Sequence, residues 1–178
     1  REGIHIPLIH SANSIATIDL KESRMNMVRP GLVIYGLYHR QNMKKQFRPV
    51  LSLKTRVVFT KNLAAGCGVS YGHTYVTKKK TRIVTLPIGY GDGYPRNLSN
   101  RGPVLIKGKR LKICGRICMD QMMVDVGSLT VKEGDEAVLI GAQGRNKITA
   151  EELARLSKTI PYEIVCGLGS RIPRLFIP

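Results

Sequence analysis

Tyr71 and Tyr90 stand in settings that make a tyrosine available for chemistry. The stretches Gly68-Val69-Ser70-Tyr71-Gly72-His73-Thr74-Tyr75 and Ile83-Val84-Thr85-Leu86-Pro87-Ile88-Gly89-Tyr90-Gly91-Asp92-Gly93-Tyr94 each run from strand character into a tyrosine embedded in glycines. Glycine permits close backbone approach and conformations barred to other residues, so a tyrosine there can be presented to a ligand instead of buried. Four of the 7 tyrosines, Tyr71, Tyr75, Tyr90 and Tyr94, fall in this window. A single Gly-Tyr-Gly reads as aromatic packing in a hairpin or meander; two so close together point to a site.

Two further groups could do chemistry. His10-Ser11-Ala12-Asn13-Ser14 follows the apolar run Ile4–Ile9 and precedes Ile15–Leu20, which has a helical or irregular pattern. Small hydroxyl and amide side chains between a strand and a helix suit an anion such as phosphate. Taken alone, they read equally as a helix N-cap by Asn13 or Ser14. Arg29 precedes Pro30-Gly31 and the continuous apolar run Leu32–Leu37, which has the character of a strand buried on both faces. An arginine fixed before such a run is a candidate for recognition. The 4 cysteines, Cys67, Cys114, Cys118 and Cys166, offer no second pair at metal-ligand spacing, and they are expected to act as small buried hydrophobes with reduced thiols.

The elements that must position these residues change character along the chain. Residues 4–9 are expected to form a short buried strand, and 38–47 a polar linker. From Pro49 onward, short alternating segments recur at Val50–Thr60, Arg82–Ile88, Val104–Ile106, Leu111–Ile117, Gln121–Val126 and Glu136–Ile140, separated by glycine-rich turns. That rhythm indicates an antiparallel barrel or sandwich. One helix is expected at Thr149–Ser157, opened by a capping box of Thr149 and Glu152. Ile164–Leu168 and Arg171–Ile177 return to strand character, with Pro173 marking an edge.

Composition bounds the class. With 178 residues and 43% hydrophobic content, the chain is long enough for a real core, in one large domain or two small ones. No apolar run could span a bilayer and no signal peptide opens the sequence. It begins Arg1-Glu2-Gly3 without Met, which suggests a piece cut from something longer. The net charge of +17, clustered at Lys78-Lys79-Lys80 with Arg82 and at Lys107, Lys109, Arg110, Lys112 and Arg116, suits a nucleic-acid partner. Against that, aromatics are 6%, Trp is absent, no stacking platform is visible, and the clusters fall in or beside turns.

Together the motifs resemble the alanine racemase family. His10–Ser14, Asn26–Gly36, Val69–Gly72, Ile88–Gly93, Cys114–Gln121 and Tyr162–Arg174 occur in that family's order and spacing. The resemblance implies a mainly β fold: residues 1–47 as the last part of a β/α barrel that binds pyridoxal phosphate, and 48–178 as a Greek-key-like antiparallel β barrel with one helix. It implies racemisation of alanine in the cytoplasm, supplying D-alanine for peptidoglycan. Two bases on opposite faces of the substrate are then needed, a cofactor lysine and a tyrosine matching Tyr71. A phenol ordinarily titrates near 10, so a tyrosine base needs positive neighbours or hydrogen bonds to its phenolate. Arg29 matches the arginine facing the pyridine nitrogen. Ser14, Gly31 and Leu32 match phosphate-holding positions, with Asn13 shaping their loop. Tyr90 matches a tyrosine lining substrate access; Met119, with Asp120 beside it, matches a backbone N–H donor to the substrate carboxylate. In the family, Tyr71, Tyr90 and Met119 serve the opposite subunit of a head-to-tail homodimer. The family's Val-Lys-Ala-x-Ala-Tyr-Gly-His-Gly lysine context is absent, so this chain alone is expected to be inactive, and Ser170 replaces a tyrosine of some members. Rival readings are a racemase of serine or a basic amino acid, and a non-catalytic basic β-barrel binding module.

Overall fold

The computed structural model describes residues 3–38 and 47–177. The chain divides into two compact units, Arg1–Val50 and Leu51–Pro178.

In the second unit the segment from Leu53 to Leu63 organises everything else. It forms β1 (Leu53–Arg56) and β2 (Phe59–Leu63) on either side of Val57-Val58. The following strands are β3 (Gly68–Val69), β4 (Tyr75–Val76), β5 (Thr81–Leu86), β6 (Pro103–Ile106), β7 (Lys109–Ile113), β8 (Met122–Gly127), β9 (Glu136–Gln143) and β10 (Asn146–Ile148). Every pairing is antiparallel, in the order β1-β9-β6-β7-β8-β5-β2, with β10 on β9 and β3–β4 as a separate ribbon. Because β1 and β2 lie at the two ends of that path yet are joined through two residues, the sheet returns on itself as a barrel. The Val50–Thr60 segment is thus two strands broken at a corner. The order β6-β7-β8-β5 is a Greek key, with 87–102 as its long connection. The expectation of a mainly antiparallel β fold is met.

Side-chain alternation explains the sheet. Along β8, Met122, Val124 and Val126 are buried while their neighbours are half-buried. All of β6 is buried, since strands flank it on both sides and its turn residues do the solvating: Lys107 and Gly108 both take positive φ, 50° and 70°, the two-residue type I′ hairpin geometry. Leu105, Ile106, Val124, Val138, Leu139 and Leu153 are fully enclosed and form the core.

Helix α2 (Ala150–Ser157) begins where expected, with Thr149 Oγ1 accepting the Glu152 N–H at 3.2 Å. The reciprocal half of the capping box is absent, because the Glu152 carboxylate pairs with Arg110. A further helix, α3 (Pro161–Cys166), occupies most of the Ile164–Leu168 stretch expected to be a strand, so the β domain holds one helix more than expected. Pro161 at the first helical position and Glu163 in the first turn are start signals that outweigh the β-branched Ile164 and Val165. Arg171–Ile177 forms no strand either, and Cys166 is exposed, not a buried hydrophobe; of the thiols only Cys114 is buried.

In the first unit α1 (Ser14–Asp19) forms, with Asn13 as its N-cap. Neither Ile4–Ile9 nor Leu32–Leu37 is a strand; the latter winds through a series of turns. A strand needs a hydrogen-bonded neighbour. Among the described residues the Asn26 side chain plays that part, accepting the Ile9 N–H at 2.7 Å and donating to the Pro7 carbonyl at 2.8 Å. Ile4, Ile6 and Leu8 are 75%, 60% and 61% exposed. The linker expected at 38–47 lies for the most part outside the described residues. Among the described residues no helix is long and apolar enough to cross a membrane.

Candidate active site

Three connections of the β unit carry Tyr71, Tyr90 and Met119. Leu86 pairs with Met122 and Ile113 with Val124, so 87–102 and 114–121 leave the sheet at the same end of β8. The β3–β4 ribbon starts from the other end and folds back over the sheet. Val69 buries with Ile83 and Cys114, and Leu63, Tyr75 and Met123 pack around them. This places the Tyr71 turn against residues 114–118.

Tyr71 is 72% exposed, at the tip of a ribbon whose backbone takes positive φ at Ser70 (64°), Gly72 (67°) and His73 (44°). Such conformations are disfavoured for Ser and His and persist only where the surroundings impose them. Two tethers do so. Ser70 Oγ donates to the Arg116 carbonyl at 2.6 Å. Asn100 donates to Thr74 Oγ1 at 3.0 Å and accepts the Gly115 N–H at 2.6 Å. The Arg116 guanidinium carbon stands 3.3 Å from where a Cβ on Gly72 would be, so this side chain lies against the backbone of the Tyr71 turn.

Tyr90 is 46% exposed in a single tight turn, Tyr90–Asp92. The Tyr90 N–H donates to the Cys118 carbonyl at 3.0 Å and the Gly91 N–H to the Met119 carbonyl at 2.8 Å. A Cβ at Gly89 would fall 2.2 Å from the Cys118 carbonyl oxygen, and one at Gly93, where φ is 91°, would fall 1.7 Å from the Gly167 carbonyl oxygen. Only glycine fits at either position. Met119 is exposed, and its N–H has no acceptor among the described residues. The Asp120 carboxylate meets Arg171 at 2.6 Å.

The other two tyrosines of the window have structural roles. Tyr94 is buried, which drives its phenol far up and keeps it neutral. Tyr75 donates to Asp125 at 2.5 Å; burial first, then this hydrogen bond and the carboxylate's charge, raise its phenol well above the usual range. Burial also pushes the Cys114 thiol up to about 12, with Asp125 adding to it, so it is not a nucleophile.

In the first unit the remaining candidates converge. The Arg29 N–H donates to the Ala12 carbonyl at 2.9 Å, and the Gly31 N–H to Ser14 Oγ at 2.9 Å. Asn13 Oδ1 is committed to the Ala16 N–H at 3.0 Å, the cap expected of it. The Leu32 N–H finds no acceptor among the described residues, and a Cβ at Gly31 would meet nothing nearer than Ser14 Oγ at 3.9 Å. The Ser14 hydroxyl proton, the Leu32 N–H and open space at Gly31 beside an exposed arginine make a donor set that fits a phosphate.

A shallow cavity of about 190 Å³, lined by Asn62, Lys80, Thr81, Arg82, Gly127 and Ser128, lies at the opposite end of β5 from Tyr90 and takes no part in this arrangement. Sequence reasoning missed Ser70, Asn100 and Arg171 as fastenings; Arg116 it counted only as surface charge.

Comparison with known proteins gives these loops a context. Residues 50–176 match the family described as alanine racemase, C-terminal domain, and residues 1–39 its N-terminal domain. The alanine racemase of Halothermothrix orenii is 52% identical over 174 residues, 96% of this chain and 46% of that protein. That of Carboxydothermus hydrogenoformans is 50% identical over 99% of this chain and 49% of its own length. Among solved structures, alanine racemase from D-cycloserine-producing Streptomyces lavendulae superposes with a TM-score of 0.93 at 43% identity, covering 99% of this chain and 47% of that one. The Bacillus anthracis enzyme, solved with bound L-Ala-P, gives 0.93 at 40% identity over 99% and 46%. The chain thus spans about half the length of the relatives it matches. It belongs to the alanine racemase family.

Proposed function

We propose that this chain carries the C-terminal half of a pyridoxal-phosphate-dependent racemase that interconverts L- and D-alanine. The observation that carries the reading is the exposed Tyr71 side chain, held on a positive-φ ribbon that Ser70 and Asn100 tie to residues 115 and 116. Pyridoxal phosphate, when bound, supplies the electron sink that makes the substrate Cα–H acidic enough to remove. Tyr71 would then exchange a proton with Cα on one face. The Met119 N–H, which has no acceptor among the described residues, holds the substrate carboxylate, with Asp120 beside it, and Tyr90 lines the access route. Ser14, Gly31 and Leu32 hold the cofactor phosphate and Asn13 shapes their loop. Arg29 would hold the pyridine nitrogen of the bound cofactor; a guanidinium keeps its protons, so it would hydrogen-bond that nitrogen without protonating it and restrain side reactions.

Residues 1–47 are, on this reading, the end of a β/α barrel and 48–178 the β domain, working in a head-to-tail homodimer in the cytoplasm whose D-alanine feeds peptidoglycan. The second base is a lysine in the family's motif, which none of these 178 residues supplies, so the chain alone does not racemise. The test is the intact mass of the native gene product after incubation with pyridoxal phosphate and borohydride reduction. A mass well above 19.8 kDa plus one reduced cofactor is expected; a mass equal to this chain with no adduct would contradict the reading.

A further inference from the structure

Arg171 joins two turns that the sequence separates. Its Nη2 lies 2.6 Å from Asp120 Oδ1 and its Nε 3.4 Å from Asp92 Oδ1. Asp92 is buried, its other carboxylate oxygen accepts the Gly89 N–H at 2.9 Å, and its carbonyl accepts the Gly169 N–H at 2.9 Å from the segment that carries Arg171. A Cβ on Gly91 would fall 2.8 Å from Arg171 Nη1, so the guanidinium lies directly on the backbone between Tyr90 and Asp92. Among the described residues neither aspartate has another cation. One planar fork thus spans a carboxylate from the Tyr90 turn and one from the Met119 turn, a geometry that a lysine's point charge reproduces poorly.

We propose that Arg171 is a positioning residue. It fixes the Tyr90 turn against the Met119–Asp120 turn, and so sets where the Tyr90 phenol and the Met119 N–H stand relative to substrate. Asp120 serves the reaction as the anchor of Arg171. This rests on the reading of both turns as substrate-facing. The pair with exposed Asp120 adds little to global stability, loss of the cation leaves the buried Asp92 carboxylate unpaired, and a misplacement of about 1 Å near the chemistry costs on the order of 100-fold in rate. The signature of Arg171 is therefore loss of order confined to the two turns together with loss of catalysis.

The test pairs Arg171→Gln with Arg171→Lys. In the 178-residue chain, amide hydrogen exchange in peptides covering 88–94 and 117–122 should quicken in the Gln variant and less in the Lys variant, with β6 and β7 unaffected. In the intact enzyme carrying the chain, the Gln variant should lose roughly 10- to 100-fold in kcat/KM for alanine, and Lys should restore part of it. Unchanged exchange at both turns would overturn the proposal. So would quickened exchange with unaltered kinetics, or exchange rising equally through β6 and β7. Exchange is read whether or not the protein racemises, so absence of racemisation in the parent enzyme would defeat the functional reading while the exchange data still decide the clamp.

Discussion

Ser14 has two tasks in one hydroxyl: it accepts the Gly31 N–H at 2.9 Å and stands at the mouth of the donor set proposed for the cofactor phosphate. Ser14→Ala removes both, and loss of about 1 kcal/mol of hydrogen bonding corresponds to roughly fivefold in affinity. Titration of the intact enzyme with pyridoxal phosphate should show that weakening, and an unaltered affinity would exclude Ser14 from the phosphate site. The cap at Asn13 was legible in the sequence, because its acceptor works on an N–H three residues away. Arg171 was not, since its partner Asp120 is 51 positions distant and only the fold brings them together. Asn100 escaped notice for the same reason: the turns it bridges, at Thr74 and Gly115, lie far from it in sequence on either side.

The ribbon that carries Tyr71 is anchored to β8 by one carboxylate. Asp125 accepts hydrogen bonds from Tyr75 and Thr81 at 2.5 Å each and from the Gly127 N–H at 2.8 Å. Burial acts to raise its pKa, but the Thr81 and Tyr75 hydroxyls, the Gly127 N–H and the Lys79 charge outweigh it, and the net shift is downward. A carboxyl depressed in the folded state contributes stability at pH above its ordinary value near 4, and loses that contribution as pH falls through the folded value. Urea unfolding should therefore show Asp125→Asn costing about 1–3 kcal/mol at pH 7, with a smaller loss of stability than the parent on acidification. An equal acid response in both proteins would remove Asp125 as the anchor. Alternation made β8 readable, and Thr149 made the start of α2 readable. The apolar runs at Ile4–Ile9 and Leu32–Leu37 carry no period that separates strand from turn or helix, and a strand forms only where a neighbour pairs with it.

The second unit is an antiparallel sheet whose two ends are one bent segment, Leu53–Leu63, and whose long connections deliver Tyr90 and Met119 to one end of β8. The β rhythm after Pro49 announced that architecture. The corner at Val57-Val58 and the folding back of the β3–β4 ribbon were hidden, because they depend on pairings between residues far apart in sequence. Of the basic clusters, Lys78–Lys80 and Arg82 lie at the end of β5 far from Tyr90, Lys107–Lys112 lie in the β6–β7 hairpin, and Arg116 stands against the Tyr71 turn. The central claim is that Tyr71 is one of two bases acting on alanine, and the decisive measurement is chiral analysis of alanine incubated in deuterated water with the intact enzyme and its Tyr71→Phe variant, each loaded with pyridoxal phosphate. The parent should interconvert both enantiomers and place deuterium at Cα. The variant should keep its cofactor and lose interconversion in both directions. Two-way racemisation that survives the loss of the Tyr71 hydroxyl would contradict the account.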